Sequence, residues 1–238
     1  MNKVKVGIPG LDEILKGGVK EGSSLLIMGA PGTGKSIMAL QFLVEGASKK
    51  VPGLLITSEE TASSVRHCAN SLGIKIEEYE KKGLITILEQ SILDGKIVTI
   101  KAPMNIIRQK KIGRVALDSL TLFEYVYTKS DNEFRRGIVS FISELKKFNV
   151  TLMATSEVNT SDIDVINFRP EDFLFEGLIM LTRIRKGASF ERCLNVEKMR
   201  GQDHLLDVYP FNIEKGGVNV LVTQLPFSLI EKDVKFRK

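Results

Sequence analysis

Gly29, Gly34, Lys35 and Ser36 stand at the spacing G-x-x-x-x-G-K-[ST], with Ala30, Pro31, Gly32 and Thr33 between them. The pattern follows directly on the apolar run Leu25, Leu26, Ile27, Met28. At ordinary residue frequencies its four fixed positions recur by chance in roughly one in a hundred chains of this length. The residue types suit phosphate binding. Gly29, Gly32 and Gly34 are expected to take positive dihedral angles, so that several N–H groups face one concavity with no side chain in the way. A helix that starts near Lys35 and runs through Ile37 to Ala47 adds unpaired first-turn N–H groups and the positive end of its dipole. Lys35 then reaches the β and γ phosphates of a nucleotide, and the Ser36 hydroxyl is placed to ligate Mg2+. The alternative, a glycine-rich turn capped by Ser36, leaves the Gly-Lys-Ser triplet at the mouth of a helix without a purpose.

Further acids complete such a site. Val115, Ala116 and Leu117 form an apolar run that ends in Asp118, whose carboxylate is expected to orient Mg2+ or its water. On its own that pattern also fits a turn acid or a helix cap. Glu59 and Glu60 follow the run Leu54 to Ser58, where a parallel sheet puts its active groups, at the carboxyl end of a strand. Glu59 is the leading candidate to position water. Glu60 has capping of the next helix as its alternative, since a first turn favours negative charge.

The elements that must hold these residues alternate. Strands are expected at Leu54 to Thr57, Leu84 to Leu88, Arg114 to Leu117 and Val150 to Thr155. Helices are expected at about Thr61 to Leu72, Met104 to Lys111 and Glu133 to Phe148, the last with Phe134, Ile138, Phe141, Ile142 and Leu145 facing a core. Short apolar strands separated by helices predict an α/β fold with a mostly parallel twisted sheet covered on both faces. Leu178 to Ile184 and Phe190 to Val196 flank a turn-like segment and predict a C-terminal antiparallel extension, which Val218 to Val222 lengthens. Ser156 to Glu171 is polar and closed by Pro170, and reads as a surface loop.

Composition narrows the class. The 238 residues suit one domain with a short basic tail at about 231–238. A hydrophobic fraction of 43% and a charged fraction of 26% are those of a globular chain, and no apolar run reaches membrane-spanning length. Cys68 and Cys193, far apart, predict free thiols in the cytoplasm. With only His67 and His204 present, a zinc site has few ligands to draw on. The net charge of +5 permits an acidic partner without requiring one.

Assembled, these residues resemble the RecA-like P-loop ATPase superfamily and, within it, the KaiC-like domains. Gly7-Ile8-Pro9-Gly10-Leu11-Asp12 and Gly17-Gly18 resemble the family's entry motif, Glu59-Glu60 its paired catalytic acids and Leu117-Asp118-Ser119-Leu120-Thr121 its Mg2+ strand. Lys198-Met199-Arg200-Gly201-Gln202-Asp203-His204 resembles its K-x-R-G-x-x-H segment, with Tyr209-Pro210-Phe211 following. The resemblance implies a Mg2+-dependent ATPase in which Lys198, Arg200 and His204 face the nucleotide of the neighbouring subunit. That arrangement implies a homo-oligomeric ring, such as a hexamer, whose state an unidentified protein partner reads. KaiC proteins proper carry two such domains and this chain one, and Phe168 to Gly177 has no Ser or Thr where their autophosphorylated pair would lie. Autokinase activity is therefore not expected.

Two other classes compete. A RecA- or Rad-paralogue-type ATPase acting on DNA in recombination or repair would share the core. Thr155-Ser156-Glu157 ends in an acid where recombinases usually place a Gln, however, and the loop that follows holds Asp162, Asp164, Glu171 and Asp172 against Arg169, a poor surface for phosphates. A small-molecule kinase would need an arginine-rich lid, which is not evident, and would leave Lys198 to His204 unexplained.

Overall fold

The computed structural model describes residues 2–90, 101–120, 131–158, 168–170 and 172–227. The predicted basic tail, Thr121 and most of the predicted loop Ser156 to Glu171 lie outside them. At the centre is β3 (Ser24–Gly29), every residue of it buried. Leu25 and Ile27 join one core cluster and Leu26 and Met28 the other. That two-sided burial explains why the strand reads as an unbroken apolar run.

β3 lies between β7 (Thr151–Glu157) and β8 (Gly177–Lys186) and is parallel to both. Beyond β7 come β6 (Arg114–Asp118), β4 (Gly53–Thr57) and β5 (Ile85–Glu89), again parallel. Beyond β8 the sheet turns antiparallel through β9 (Ser189–Met199), β10 (Tyr209–Glu214) and β11 (Gly217–Val220). A separate pair, β1 (Lys3–Val4) with β2 (Val19–Lys20), brackets the short helix α1 (Leu11–Ile14). The expected mostly parallel sheet with an antiparallel extension is thus present, and strand β10 is an addition to it.

Helices cover both faces. α2 (Lys35–Ser48) places Met38, Phe42 and Leu43 in the cluster with Leu25, Ile27, Leu55 and Met153. α3 (Ala62–Ser71) and α4 (Ile76–Lys81) extend that layer with Val65, Ala69 and Ile76. On the opposite face, α5 (Lys101–Lys110) contributes Met104 and Ile107. α6 (Asp131–Lys147) contributes Phe134, Ile138, Phe141, Ile142 and Leu145, the helical stripe expected from their spacing.

One buried charge fastens the phosphate-loop helix to the rest. Arg114, the first residue of β6, is 4% exposed and donates from Nη1 to Phe42 O at 2.8 Å and from Nη2 to Lys5 O at 2.9 Å. Its guanidinium carbon also lies 4.8 Å from the centre of the Phe42 ring. The N-terminal segment so held is shaped by Asp12, whose carboxylate accepts from the N–H of Val6 at 2.7 Å and of Gly7 at 3.0 Å. The entry motif therefore acts as local scaffolding. Arg114→Ala strands two carbonyls and opens a cavity, so urea unfolding is expected to show a loss of ~3 kcal/mol. A loss below ~0.5 kcal/mol would show that the clamp contributes little.

Candidate functional site

The loop between β3 and α2 is shaped by its glycines in two ways. Gly34 is the N-cap of α2 in the left-handed region, at φ 111°, and Gly32 has φ 74°. Gly29 corrects the expectation: it is not among the positive-φ residues but ends β3 as regular strand. What requires glycine there is crowding, since a Cβ would lie 2.6 Å from Leu181 O and 2.9 Å from Thr33 Oγ1. Thr33, fully buried, closes the turn by donating Oγ1 to Ala30 O at 2.8 Å. Pro31 and Gly32 form the exposed tip.

α2 begins at Lys35, where the sequence places it. Its first turn holds no acidic residue, and Gly34 offers no side-chain cap. The first N–H groups, including those of Ser36 and Ile37, therefore have neither an intrahelical acceptor nor a competing carboxylate. Lys35 is 7% exposed, and its ammonium donates to Gly29 O at 3.0 Å and Ala30 O at 3.1 Å. Burial pushes it below the usual lysine range, while the carboxylates of Glu157, Asp118 and Glu59 oppose that shift. The result is a desolvated cation at the mouth of a helix N-terminus, suited to an anion.

Those three acids come from three neighbouring strands. Glu157 ends β7 opposite Gly29, with Oε1 4.0 Å from Lys35 Nζ. Asp118 ends β6 opposite Thr57 of β4 and accepts a hydrogen bond from Thr155 Oγ1. Glu59 follows β4, and its Oε1 accepts from Ser119 Oγ at 2.6 Å. Parallel strands in register bring their carboxyl ends to one edge, and this places acids distant in sequence around one lysine.

Glu60 diverges from Glu59. Its Oε2 accepts from Ser64 Oγ at 3.0 Å in the first turn of α3, and its carbonyl accepts from Thr57 Oγ1 at 2.9 Å. Thr61 is the N-cap proper, accepting from Ser64 N at 3.2 Å. Glu60 thus props the start of α3 through a side-chain hydroxyl, while the cap itself comes from Thr61. The sequence marks Glu157 as the acid closing its segment without placing it beside Lys35, and gives no part to the supporting hydroxyls of Ser119 and Thr155. The signal available was position: Glu157 also ends a strand of the parallel sheet.

The donor set can be compared with Mg2+. Among the described residues no group of three or more His, Cys, Asp or Glu could hold a metal. Of the oxygen groups at the loop edge, the Asp118 carboxylate and the Ser36 hydroxyl are the expected ligands, both hard oxygen donors. Such a set leaves most positions to phosphate oxygens and water, as Mg2+ in nucleotide sites does. The residues fit that ion. The thiols are not candidates, because burial raises both Cys68 and Cys193, the latter to about 12.

Lys198, Arg200 and His204 stand apart from their own loop. Lys198 pairs with Leu178, which pairs with Leu26 of β3, so it sits two strands across and three residues below Gly29. At ordinary sheet spacings that is ~14 Å, beyond the reach of its side chain. Gln202 Nε2 donates to Leu15 O at 3.2 Å and Gly18 O at 3.0 Å, and Asp203 pairs with Lys16, so the turn after β9 is anchored on the entry motif. His204 Nδ1 lies 3.0 Å from Leu205 O. Lys198 and Arg200 do project together, with Met199 buried between them, as their spacing predicts. Among the described residues no helix is long and apolar enough to cross a membrane.

Comparison with known proteins agrees with this architecture. The family model described as "ATPase: KaiC" matches residues 4–224. The circadian clock oscillator protein KaiC of Nostoc sp. is 30% identical over 230 residues, covering 92% of this chain and 44% of that protein. Its counterpart from Picosynechococcus sp. is 31% identical, with 92% and 44% covered. This chain therefore spans less than half the length of those relatives. The crystal structure of a KaiC-like protein from Pyrococcus horikoshii OT3 superposes with a TM-score of 0.81 at 29% identity, covering 92% of this chain and 99% of that one. The match runs from the entry motif through the loop and the four strand ends to the late basic segment, and on that evidence the chain belongs to the KaiC family of ATPases.

Proposed function

We propose that this chain binds ATP with Mg2+ and hydrolyses it to ADP and phosphate, at a site that a neighbouring copy completes. The observation that carries the reading is the convergence of Lys35, Asp118, Glu59 and Glu157 at one edge of the sheet, around a helix N-terminus. Gly29 to Ile37 hold the phosphates through backbone N–H groups and the Lys35 ammonium. Ser36 and Asp118 would hold Mg2+, which would supply neutralisation of the phosphate charge. Glu59, with Oε1 fixed by Ser119, turns its other oxygen to a water. That water attacks the γ phosphorus, the bond to the β–γ bridging oxygen breaks, and a water proton passes to Glu59.

Lys198, Arg200 and His204 act on the next subunit's nucleotide in a ring of identical chains. Their separation from their own loop supports this, and it makes turnover depend on assembly. The chain works as one domain in the cytoplasm, where its free thiols persist, and its output is a change of subunit packing that a protein partner reads. DNA is not a ligand in this reading.

Mass measurement with and without ATP and Mg2+, alongside phosphate release, is expected to show ATP-dependent assembly and turnover. Arg200→Ala should bind nucleotide yet hydrolyse it at least ~100-fold more slowly; an active monomeric variant would contradict the shared site. A second consequence concerns protons. A polyphosphate beside Lys35 moves its lowered pKa back up towards the ordinary lysine range, so ATP binding at alkaline pH takes up protons. Calorimetry in buffers of different ionisation enthalpy should detect this uptake, and a buffer-independent heat would count against it.

A further inference from the structure

One aromatic residue gathers both cations at the end of β9. Phe173 is 48% exposed despite its size, and its ring centre lies 5.8 Å from that of Phe168, which is 37% exposed. The Phe173 carbonyl accepts from Arg200 Nη2 at 2.8 Å, and the Lys198 ammonium lies 5.3 Å from the ring centre. Lys198 Nζ is shut off from solvent and has no hydrogen-bond partner among the described residues. The ring face and the negative charge of Asp172 are what attract it, against repulsion from Arg200.

Phe173 is fixed from the sheet. It occupies the 3-10 turn Asp172–Leu174, in which the fully buried Asp172 accepts from Arg169 N at 2.8 Å and lies 3.8 Å from the Arg169 guanidinium. Arg169 Nη2 also donates to Ser156 Oγ at 2.6 Å. Ser156 precedes Glu157, the acid beside Lys35. The turn that carries Phe173 is therefore tied to the strand that carries part of the loop site.

We infer that Phe173 is a positioning residue for hydrolysis at the neighbouring copy's site: its ring and carbonyl seat Lys198 and Arg200, and the chain Asp172–Arg169–Ser156 fixes that seat to β7. This rests on the shared-site reading proposed above. Two like charges two residues apart drift apart in water, and a cation acts on a transferring phosphoryl group only when its place is set beforehand. A single residue that holds one cation by its π face and the other by its carbonyl fulfils that need. It also accounts for a large apolar side chain left half in solvent at the sheet edge.

The test measures steady-state phosphate release, ATP affinity and assembled mass for Phe173→Leu and Phe173→Tyr, each with and without Lys198→Ala, and for Arg200→Ala alone. Phe173→Leu keeps apolar bulk without a ring face and is expected to lower kcat ~10-fold, with ATP affinity and mass unchanged. Phe173→Tyr, which keeps the ring, should stay within ~2-fold of wild type. On the Lys198→Ala background Phe173→Leu should add less than ~2-fold, because the cation that the ring seats is gone. Wild-type turnover by Phe173→Leu, or a full additional loss on that background, would overturn the positioning role. Wild-type turnover by Arg200→Ala itself would instead overturn the shared site on which that role rests.

Discussion

The arrangement depends on one desolvated cation. The Lys35 ammonium sits at the end of β3 with two backbone carbonyls as its hydrogen-bond partners and, among the described residues, the nearest carboxylate oxygen 4.0 Å away. A charge taken out of water and so loosely paired lowers its own pKa and weakens the fold that holds it. The surrounding acids offset that cost only in part. An anion brought to the helix N-terminus would supply the missing partner, so the feature least favourable to stability is the one best matched to a phosphate.

Holding that cation requires the whole sheet. Glu157, Asp118 and Glu59 are separated by long stretches of chain and meet because β7, β6 and β4 end at the same level as β3. The strands stay in register because both faces are sealed, by α2 with α3 and α4 on one side and by α5 and α6 on the other. Arg114 fastens the middle of α2 to the N-terminal segment. Displacement of any of these elements would move Lys35 relative to its acids.

Much of this was legible in the sequence. The loop, the start of α2, the apolar strands and the stripe on α6 follow from local spacing and periodicity, which need no knowledge of distant partners. Gly29 was read for its dihedral freedom, whereas its role is set by Leu181 and Thr33, contacts that spacing does not reveal. Ser156 and Glu157 read as the start of a polar loop from their local polarity, which their pairing with Met28 and Gly29 outweighs. Glu60 illustrates a different limit: two adjacent acids look equivalent in sequence, and the start of α3 turns one of them towards Ser64. β10 escaped notice because Pro210 argues against a strand, yet it pairs with Cys193 near the sheet's edge.

In the proposed mechanism the site has a binding half, around Lys35, and a second half at Lys198 and Arg200, distant from their own loop. The proposed mechanism requires that the halves come from different copies. Mixing Lys35→Ala protein with Arg200→Ala protein tests this most directly, because each variant lacks the half that the other retains. In randomly mixed rings, about a quarter of interfaces pair an intact loop with an intact arginine. Phosphate release should therefore reappear on mixing, at roughly a quarter of the wild-type rate per subunit. A mixture as inactive as its two components, although shown to co-assemble, would contradict the account.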